Sequence, residues 1–78
     1  MTTQETIDLE QKYILQTYGR PPFVLESGDG VYLQDTDGKK YLDFVSGLSV
    51  NALGYNSSVI QDAANEQLGK LIHVSNLY

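Results

Sequence analysis

The chain has 78 residues, of which ten are acidic and five basic, and it contains no cysteine. A domain of this size buries only about 60% of the surface that its unfolded chain exposes, and without cysteines no disulfide or thiolate zinc site can add stability. The acidic balance argues against a nucleic-acid or anionic-membrane partner, and no apolar run approaches the roughly 20 residues that span a bilayer.

Residues 2–18 are predicted to form a helix. Thr2 and Glu5 have the spacing of a capping box, in which side-chain oxygens satisfy the exposed amides of the first turn. Proline follows at Pro21 and Pro22 and ends the helix, because it has no N–H and disfavours helix in the preceding residue. The apolar residues recur roughly on one stripe: Ile7, Leu9, Tyr13, Ile14, Leu15 and Tyr18.

Residues 23–44 are predicted to form a three-stranded antiparallel β-meander, with strands at 23–26, 31–35 and 40–44. The connections at 27–30 and 36–38 are short, and short loops join antiparallel neighbours. Gly38 is suited to the positive φ that a tight turn requires.

Residues 45–57 are rich in small side chains and lack periodicity, so they are predicted to be a loop. A second helix is predicted over 58–71, with Ser58 and Gln61 at capping-box spacing. Its wide apolar face needs a surface to pack against, and consists of Val59, Ile60, Ala63, Ala64, Leu68 and Leu71. The whole chain, 1–78, is therefore predicted to be a single α+β segment.

Two features resemble binding motifs but favour structural roles. Gly28 and Gly30 form half of a glycine-rich phosphate motif, yet they lie between two predicted strands and no helix N-terminus follows, which indicates a plain turn. His73 is the only histidine, and a metal site needs several ligands, so we expect a structural or surface role and no metal site.

Three aspartates could suggest paired carboxylates for acid–base chemistry. Asp35 and Asp37 flank the second predicted turn, where aspartate commonly accepts hydrogen bonds from nearby backbone amides. Asp43 follows at the end of the third strand. Acid–base work would require one of these groups to be desolvated, so turn chemistry is the favoured interpretation.

An ordered set of short motifs carries a family resemblance. The motifs are Asp43-Phe44, Gly47-Leu48-Ser49-Val50-Asn51, Leu53-Gly54 and Ser75-Asn76-Leu77-Tyr78. Each is weak alone, but in this order and spacing they resemble the acetylornithine aminotransferases, class-III members of the fold-type I pyridoxal-phosphate enzymes. The chain departs from the family at Tyr55–Ser58, where the family usually has histidine and then x-His-Pro.

The resemblance implies that the chain is the N-terminal portion of a longer cytoplasmic, homodimeric enzyme and belongs to its small domain. That enzyme would use pyridoxal phosphate to transfer an amino group between N-acetylornithine and 2-oxoglutarate in arginine biosynthesis. Other class-III donors stay open: ornithine, succinylornithine, 4-aminobutyrate and lysine. Related ornithine enzymes carry tyrosine where this chain has Leu48, which argues against ornithine. A stand-alone, non-catalytic interaction module is the remaining alternative.

The resemblance also places six residues near the substrate entrance: Gly47, Leu48, Ser49, Ser75, Asn76 and Tyr78. It assigns no cofactor-binding residue to this chain, because those residues lie beyond position 78 in the family. Attachment of pyridoxal phosphate needs one lysine in a buried pocket, whereas Lys39 and Lys40 lie at a predicted hairpin and Lys70 at an exposed helix end. We therefore expect no catalytic residue here, no cofactor binding by the chain alone, and partners in the remainder of the enzyme and its dimer mate.

Overall fold

The computed structural model describes residues 1–77. Its elements, in chain order, are α1 (Thr3–Tyr13), β1 (Leu25–Asp29), β2 (Tyr32–Asp35), β3 (Lys40–Leu42), α2 (Ser46–Ser49) and α3 (Ser58–Leu68). The three strands form one antiparallel sheet in the order β1-β2-β3. A helix, a meander and a closing helix confirm the α+β class predicted from the sequence.

The start of α1 follows the predicted capping box. The Glu5 amide donates to Thr2 Oγ1 over 3.1 Å, and the Thr2 amide donates to Glu5 Oε2 over 3.3 Å. Two amides that have no partner within the helix are thereby satisfied by the two side chains.

The helix ends at Tyr13, earlier than the predicted end at residue 18, because the chain turns at Ile14 and the following side chains contact Glu10. Ile14 is extended, and the side-chain amide of Gln16 donates to the Ile14 carbonyl over 2.7 Å and to Glu10 Oε1 over 3.0 Å. Arg20 also lies 2.5 Å from Glu10 Oε1. These contacts fold residues 14–20 back along α1, which local periodicity does not reveal.

The first strand occupies Leu25–Asp29, later than the predicted span of 23–26. Its register with β2 pairs Asp29 with Tyr32, so the hairpin loop contains only Gly30 and Val31. Gly30 supplies the positive φ, 59°, that such a tight loop requires. The predicted four-residue turn at 27–30 is therefore wrong, since three of its residues belong to the strand.

The turn between β2 and β3 is organised by the carboxylate of Asp35, as predicted. Asp35 Oδ1 accepts hydrogen bonds from the amides of Asp37 and Lys39, each over 2.9 Å, and Oδ2 accepts one from the Tyr41 hydroxyl over 2.7 Å. Gly38 has a φ of 85°, as predicted for this turn. Asp35 is only 4% exposed, and its hydrogen bonds compensate for the burial of its charge.

Acid should loosen this turn. The hydrogen bond from Tyr41, with the two backbone amides, holds the pKa of Asp35 below its ordinary value. A lowered folded-state pKa gives stability that is complete above the unfolded pKa, about 3.9, and is lost as pH falls through the folded value. We expect amide-exchange protection in β2 and β3 to hold down to about pH 4 and then to decline.

Tyr41→Phe removes the largest cause of the lowered pKa, so the folded-state pKa of Asp35 should rise toward the unfolded one, and the acid-dependent loss of protection should be smaller and end at a higher pH than in the unsubstituted chain. Tyr32→Phe, in the adjacent strand, is the matched control and should leave the acid profile unchanged. An NMR titration of the Asp35 side-chain carboxyl carbon reads the pKa directly. Equal Asp35 pKa values in the Tyr41→Phe and unsubstituted chains would contradict this account.

The second long helix, α3, starts without the predicted capping box. Its N-cap is Ser57, whose side chain makes no capping hydrogen bond, and Ser58 is already helical. The Gln61 side-chain amide donates instead to Asn56 Oδ1 over 2.5 Å. The helix ends at Leu68, three residues before the predicted end at residue 71, and the amides of Lys70 and Leu71 then both donate to the Gln67 carbonyl over 3.0 Å, which closes a final turn.

Within residues 1–77, no hydrophobic side chain is buried, and neither α1 nor α3 packs against the sheet or another helix. The apolar face predicted for α3 is therefore open in the part of the chain that the structure describes. None of the helices found there is both long and apolar enough to cross a membrane.

Candidate functional site

The segment between β3 and α3 contains a left-handed turn where the sequence predicted an irregular loop. Its four residues, Ser46, Gly47, Leu48 and Ser49, have φ values of 54°, 59°, 64° and 72°. The amides of Leu48 and Ser49 donate to the Val45 carbonyl over 3.1 and 3.2 Å, which closes one turn. The element α2 is thus a single turn of left-handed helix.

This conformation is strained for every residue in it except glycine. A left-handed backbone costs roughly 1–2 kcal/mol for each L-residue with a side chain, and such strain persists only where the surroundings fix it. Gly47 also has a steric reason to be glycine, because a Cβ there would lie 2.9 Å from Asn51 Nδ2 and 3.0 Å from Val50 Cγ2. The turn holds Leu48 86% exposed.

The carboxylate of Asp43 caps the chain just before the turn. Its Oδ1 accepts hydrogen bonds from the amides of Val45, over 2.8 Å, and Ser46, over 3.1 Å. Its Oδ2 accepts a hydrogen bond from the hydroxyl of Tyr55 over 2.5 Å. The side chain of Asp43 therefore connects the start of the left-handed turn to Tyr55.

Tyr55 in turn lies against the β1–β2 hairpin. Its amide donates to the Gly30 carbonyl over 2.8 Å and its carbonyl accepts from the Gly30 amide over 3.0 Å. Its ring covers Gly28 so closely that a Cβ there would lie 2.6 Å from Cγ of the ring. Gly28 is thus a strand residue that leaves room for an aromatic ring, which differs from the plain turn predicted for it.

The electrostatics of Asp43 and Tyr55 suit a fixed contact rather than proton transfer. The Tyr55 hydrogen bond and the two backbone amides hold the pKa of Asp43 below its ordinary value, and the carboxylate raises the pKa of Tyr55. At neutral pH Asp43 is therefore ionised and accepts, while Tyr55 is protonated and donates. The acid–base interpretation of Asp43 finds no support in this geometry.

The residues predicted to lie near the substrate fall in two separate places. Gly47, Leu48 and Ser49 lie in the left-handed turn, whereas Ser75 and Asn76 follow α3, where Ser75 Oγ accepts a hydrogen bond from the Leu77 amide over 3.2 Å. No hydrogen bond joins the two places within residues 1–77. Tyr78 lies outside the described residues.

The lysines and the histidine all lie on the surface. Lys12, Lys39, Lys40 and Lys70 are exposed, and so is His73. Lys39 lies over the ring of Tyr41 at 5.2 Å, and Lys70 forms an ion pair with Glu66 over 3.0 Å. The part of the chain that the structure describes contains no group of three or more acidic or histidine side chains that could hold a metal ion.

Sequence reasoning missed the contact from Asp43 through Tyr55 to Gly28. In the sequence, Tyr55 is distinctive only as a departure from the histidine usual in the resembling family. Its position next to Gly54 was the available signal, since Gly54 has a φ of 82° and a Cβ there would lie 3.0 Å from the Gly30 carbonyl oxygen. Glycine is the residue that permits such positive φ values and close backbone approaches.

Comparisons with known proteins give one consistent result. Residues 13–78 match the family described as aminotransferase class-III. The acetylornithine aminotransferase of Methanocaldococcus jannaschii is 49% identical over the whole chain, which covers 20% of that enzyme.

Solved structures agree on the fold. The crystal structure of acetylornithine aminotransferase from Elizabethkingia anophelis superposes with a TM-score of 0.88 at 36% identity, over 100% of this chain and 20% of that one. Ornithine δ-aminotransferase from Plasmodium falciparum superposes with a TM-score of 0.87 at 29% identity, again over 100% and 20%. The chain spans about a fifth of the length of these relatives and matches part of a fold-type I aminotransferase. The match over residues 13–78 shows that the chain belongs to the class-III aminotransferase family.

Proposed function

We propose that this chain forms the N-terminal part of the small domain of an acetylornithine aminotransferase. The complete enzyme would be a cytoplasmic homodimer that transfers an amino group between N-acetylornithine and 2-oxoglutarate in arginine biosynthesis. The observation that carries the proposal is 49% identity, over the whole chain, to a relative of that name. The ordered motifs from Asp43 to Gly54 support the same assignment.

In that enzyme the left-handed turn would border the substrate. We place Gly47, Leu48 and Ser49 at the substrate entrance, with Ser75, Asn76 and Tyr78 contributing from the end of the segment. The support is that Leu48 is 86% exposed on a turn whose backbone is fixed by hydrogen bonds, so its side chain is free to meet a ligand.

Class-III aminotransferases use pyridoxal phosphate, and the described residues do not make a complete site for it. All four lysines are exposed, whereas attachment of the cofactor needs a lysine in a buried pocket. The glycines at 28 and 30 are occupied by contacts with Tyr55 and precede a strand rather than a helix. The cofactor would therefore be bound by the remainder of the enzyme.

Ornithine is the second candidate donor, because the fold superposes on a Plasmodium falciparum ornithine δ-aminotransferase with a TM-score of 0.87. Leu48 argues for N-acetylornithine, since a leucine offers only apolar contact, whereas a tyrosine would offer a hydroxyl to a polar donor. The other class-III donors named from the sequence stay as further alternatives, as does a stand-alone interaction module.

A hybrid enzyme tests the proposal. The matching segment of the Methanocaldococcus jannaschii relative is replaced by this chain, and glutamate formation from N-acetylornithine and 2-oxoglutarate is measured. We expect kcat/KM within about tenfold of the unaltered relative, a loss of no more than roughly 1.4 kcal/mol in transition-state stabilisation. The relative without this segment is the negative control.

The donor comparison separates the candidates. With the same hybrid, ornithine should be a poorer donor than N-acetylornithine. A folded, dimeric hybrid that turns over ornithine faster would favour the second candidate. A folded hybrid with no turnover on any of the class-III donors would favour the interaction module.

A further inference from the structure

We propose that Asp43 and Tyr55 are positioning residues: they fix the left-handed turn Ser46–Ser49 against the β1–β2 hairpin and thereby set where Leu48 meets the substrate. The inference rests on the proposed function, which places Leu48 at the substrate entrance. It assigns Asp43 and Tyr55 a role that acts through the position of the turn rather than through contact with substrate or cofactor.

The turn needs an external anchor because its own backbone opposes it. Ser46, Leu48 and Ser49 all have positive φ, a conformation that residues with a side chain adopt only at an energetic cost. The side chain of Leu48 is 86% exposed, so its packing contributes little stability to offset this strain. Without an anchor, the segment would relax toward right-handed conformations and carry the Leu48 side chain to a different position.

Asp43 supplies the anchor at the start of the turn. Its carboxylate accepts hydrogen bonds from the amides of Val45 and Ser46, at 2.8 and 3.1 Å, which fixes the direction in which the chain enters the turn. Hydrogen bonds to an ionised acceptor are about twice as strong as those between neutral groups. The contact is with the backbone of the turn, so it constrains the path of the chain whatever side chains the turn carries.

Tyr55 connects that anchor to the sheet. Its hydroxyl donates to Asp43 Oδ2 over 2.5 Å, and its backbone exchanges two hydrogen bonds with Gly30 in the hairpin loop. Its ring lies directly on Gly28, with no room for a Cβ between them. The contacts thus run from the hairpin through Tyr55 and Asp43 to the left-handed turn.

Three substitutions in the hybrid enzyme test the inference. Asp43→Ala removes all three hydrogen bonds, Asp43→Asn keeps an oxygen for the two backbone amides, and Tyr55→Phe removes only the hydrogen bond between Tyr55 and Asp43. Because a displacement of about 1 Å can reduce the rate about 100-fold, we expect kcat/KM for N-acetylornithine to fall by up to that factor in Asp43→Ala. Asp43→Asn should restore most of the loss, and Tyr55→Phe should show a smaller defect than Asp43→Ala.

Asp62→Ala and Tyr32→Phe, at exposed positions elsewhere in the segment, are the matched controls and should leave kcat and KM unchanged. Gly28→Ala displaces the Tyr55 ring without altering Asp43, and should reproduce the Tyr55→Phe defect. Gly19→Ala, where a Cβ meets nothing within 4 Å, is its control. Crystal structures of the hybrid and of Asp43→Asn and Tyr55→Phe report the position of Leu48 directly.

A residue with only a structural role would lower the yield of folded enzyme but leave kcat and KM of the folded fraction unchanged. Unchanged kcat and KM in the folded fraction of Asp43→Ala would overturn the inference. So would variant crystal structures in which the turn has not moved and the enzyme is fully active. Either result leaves the proposed function intact. An inactive unsubstituted hybrid contradicts the proposed function, and the inference falls with it because no substrate would then meet Leu48.

Discussion

The 78-residue chain alone is expected to give no transaminase turnover. In the part of the chain that the structure describes, all four lysines are exposed, and none lies in an apolar pocket that would activate it toward pyridoxal phosphate. Lys39 and Lys40 border the β2–β3 turn, and Lys70 is engaged by Glu66 at the end of α3. The chain is incubated with pyridoxal phosphate, N-acetylornithine and 2-oxoglutarate, and glutamate is measured against a protein-free blank.

The covalent state of the lysines gives a second measurement. After borohydride reduction, mass spectrometry should find the cofactor adduct on only a small fraction of each exposed lysine. Replacing Lys39 and Lys40 together by arginine should remove the adduct at those two positions and leave the other lysines unchanged. The hybrid enzyme, treated identically, is the positive control and should carry one label per subunit on a lysine outside this segment. A stoichiometric adduct on one lysine of the isolated chain, accompanied by turnover, would refute the expectation.

The features predictable from the sequence are those encoded by residues a few positions apart. The Thr2–Glu5 capping box formed as predicted, and so did the carboxylate-centred turn at Asp35 with its positive-φ Gly38. In each case a side chain bonds to backbone within four residues, so spacing alone specifies the contact. The β2–β3 hairpin follows because the turn at Asp35 brings antiparallel neighbours together.

The missed ends of α1 and β1 depend on contacts between residues further apart in sequence. The early end of α1 requires Gln16 and Arg20 to fold back onto Glu10, and neither contact has a periodic pattern. The boundaries of β1 depend on which residues pair with β2, which propensity does not determine. Local rules thus located the elements but not their ends.

The candidate site shows the same division. The family motif drew attention to the segment from Asp43 to Gly54, but positive φ at three non-glycine residues within the four-residue turn runs against local preference. Such a turn can be predicted only if the Asp43–Tyr55–Gly28 contacts are known first. The roles of Gly47, Leu48, Ser49, Ser75, Asn76 and Tyr78 at a substrate entrance stay predictions.

At low micromolar concentration the isolated chain should self-associate. Its radius of gyration is 16.2 Å, whereas a compact domain of this length would have about 11.5 Å. No hydrophobic side chain within residues 1–77 is buried, and on α3 Val59, Ile60 and Leu68 are 69%, 56% and 60% exposed. Burying side chains of this size contributes roughly 1.5–3 kcal/mol each, so a second copy or the remainder of the enzyme should cover this face.

Sedimentation velocity measures the association directly, with an expected mass above the 8.7 kDa of one chain. Ile60→Asp with Leu68→Asp places two charges on the apolar face and should shift the chain to monomer, whereas Asp62→Asn is a control that leaves this face unaltered. If the face belongs to an interface inside a larger enzyme, adding the complementary part of the Methanocaldococcus jannaschii relative should suppress self-association by occupying it. A stably folded monomer that does not bind the complementary part of the relative would instead favour the stand-alone module. Within residues 1–77 no hydrophobic side chain is buried, so such a monomer would be stable without a partner.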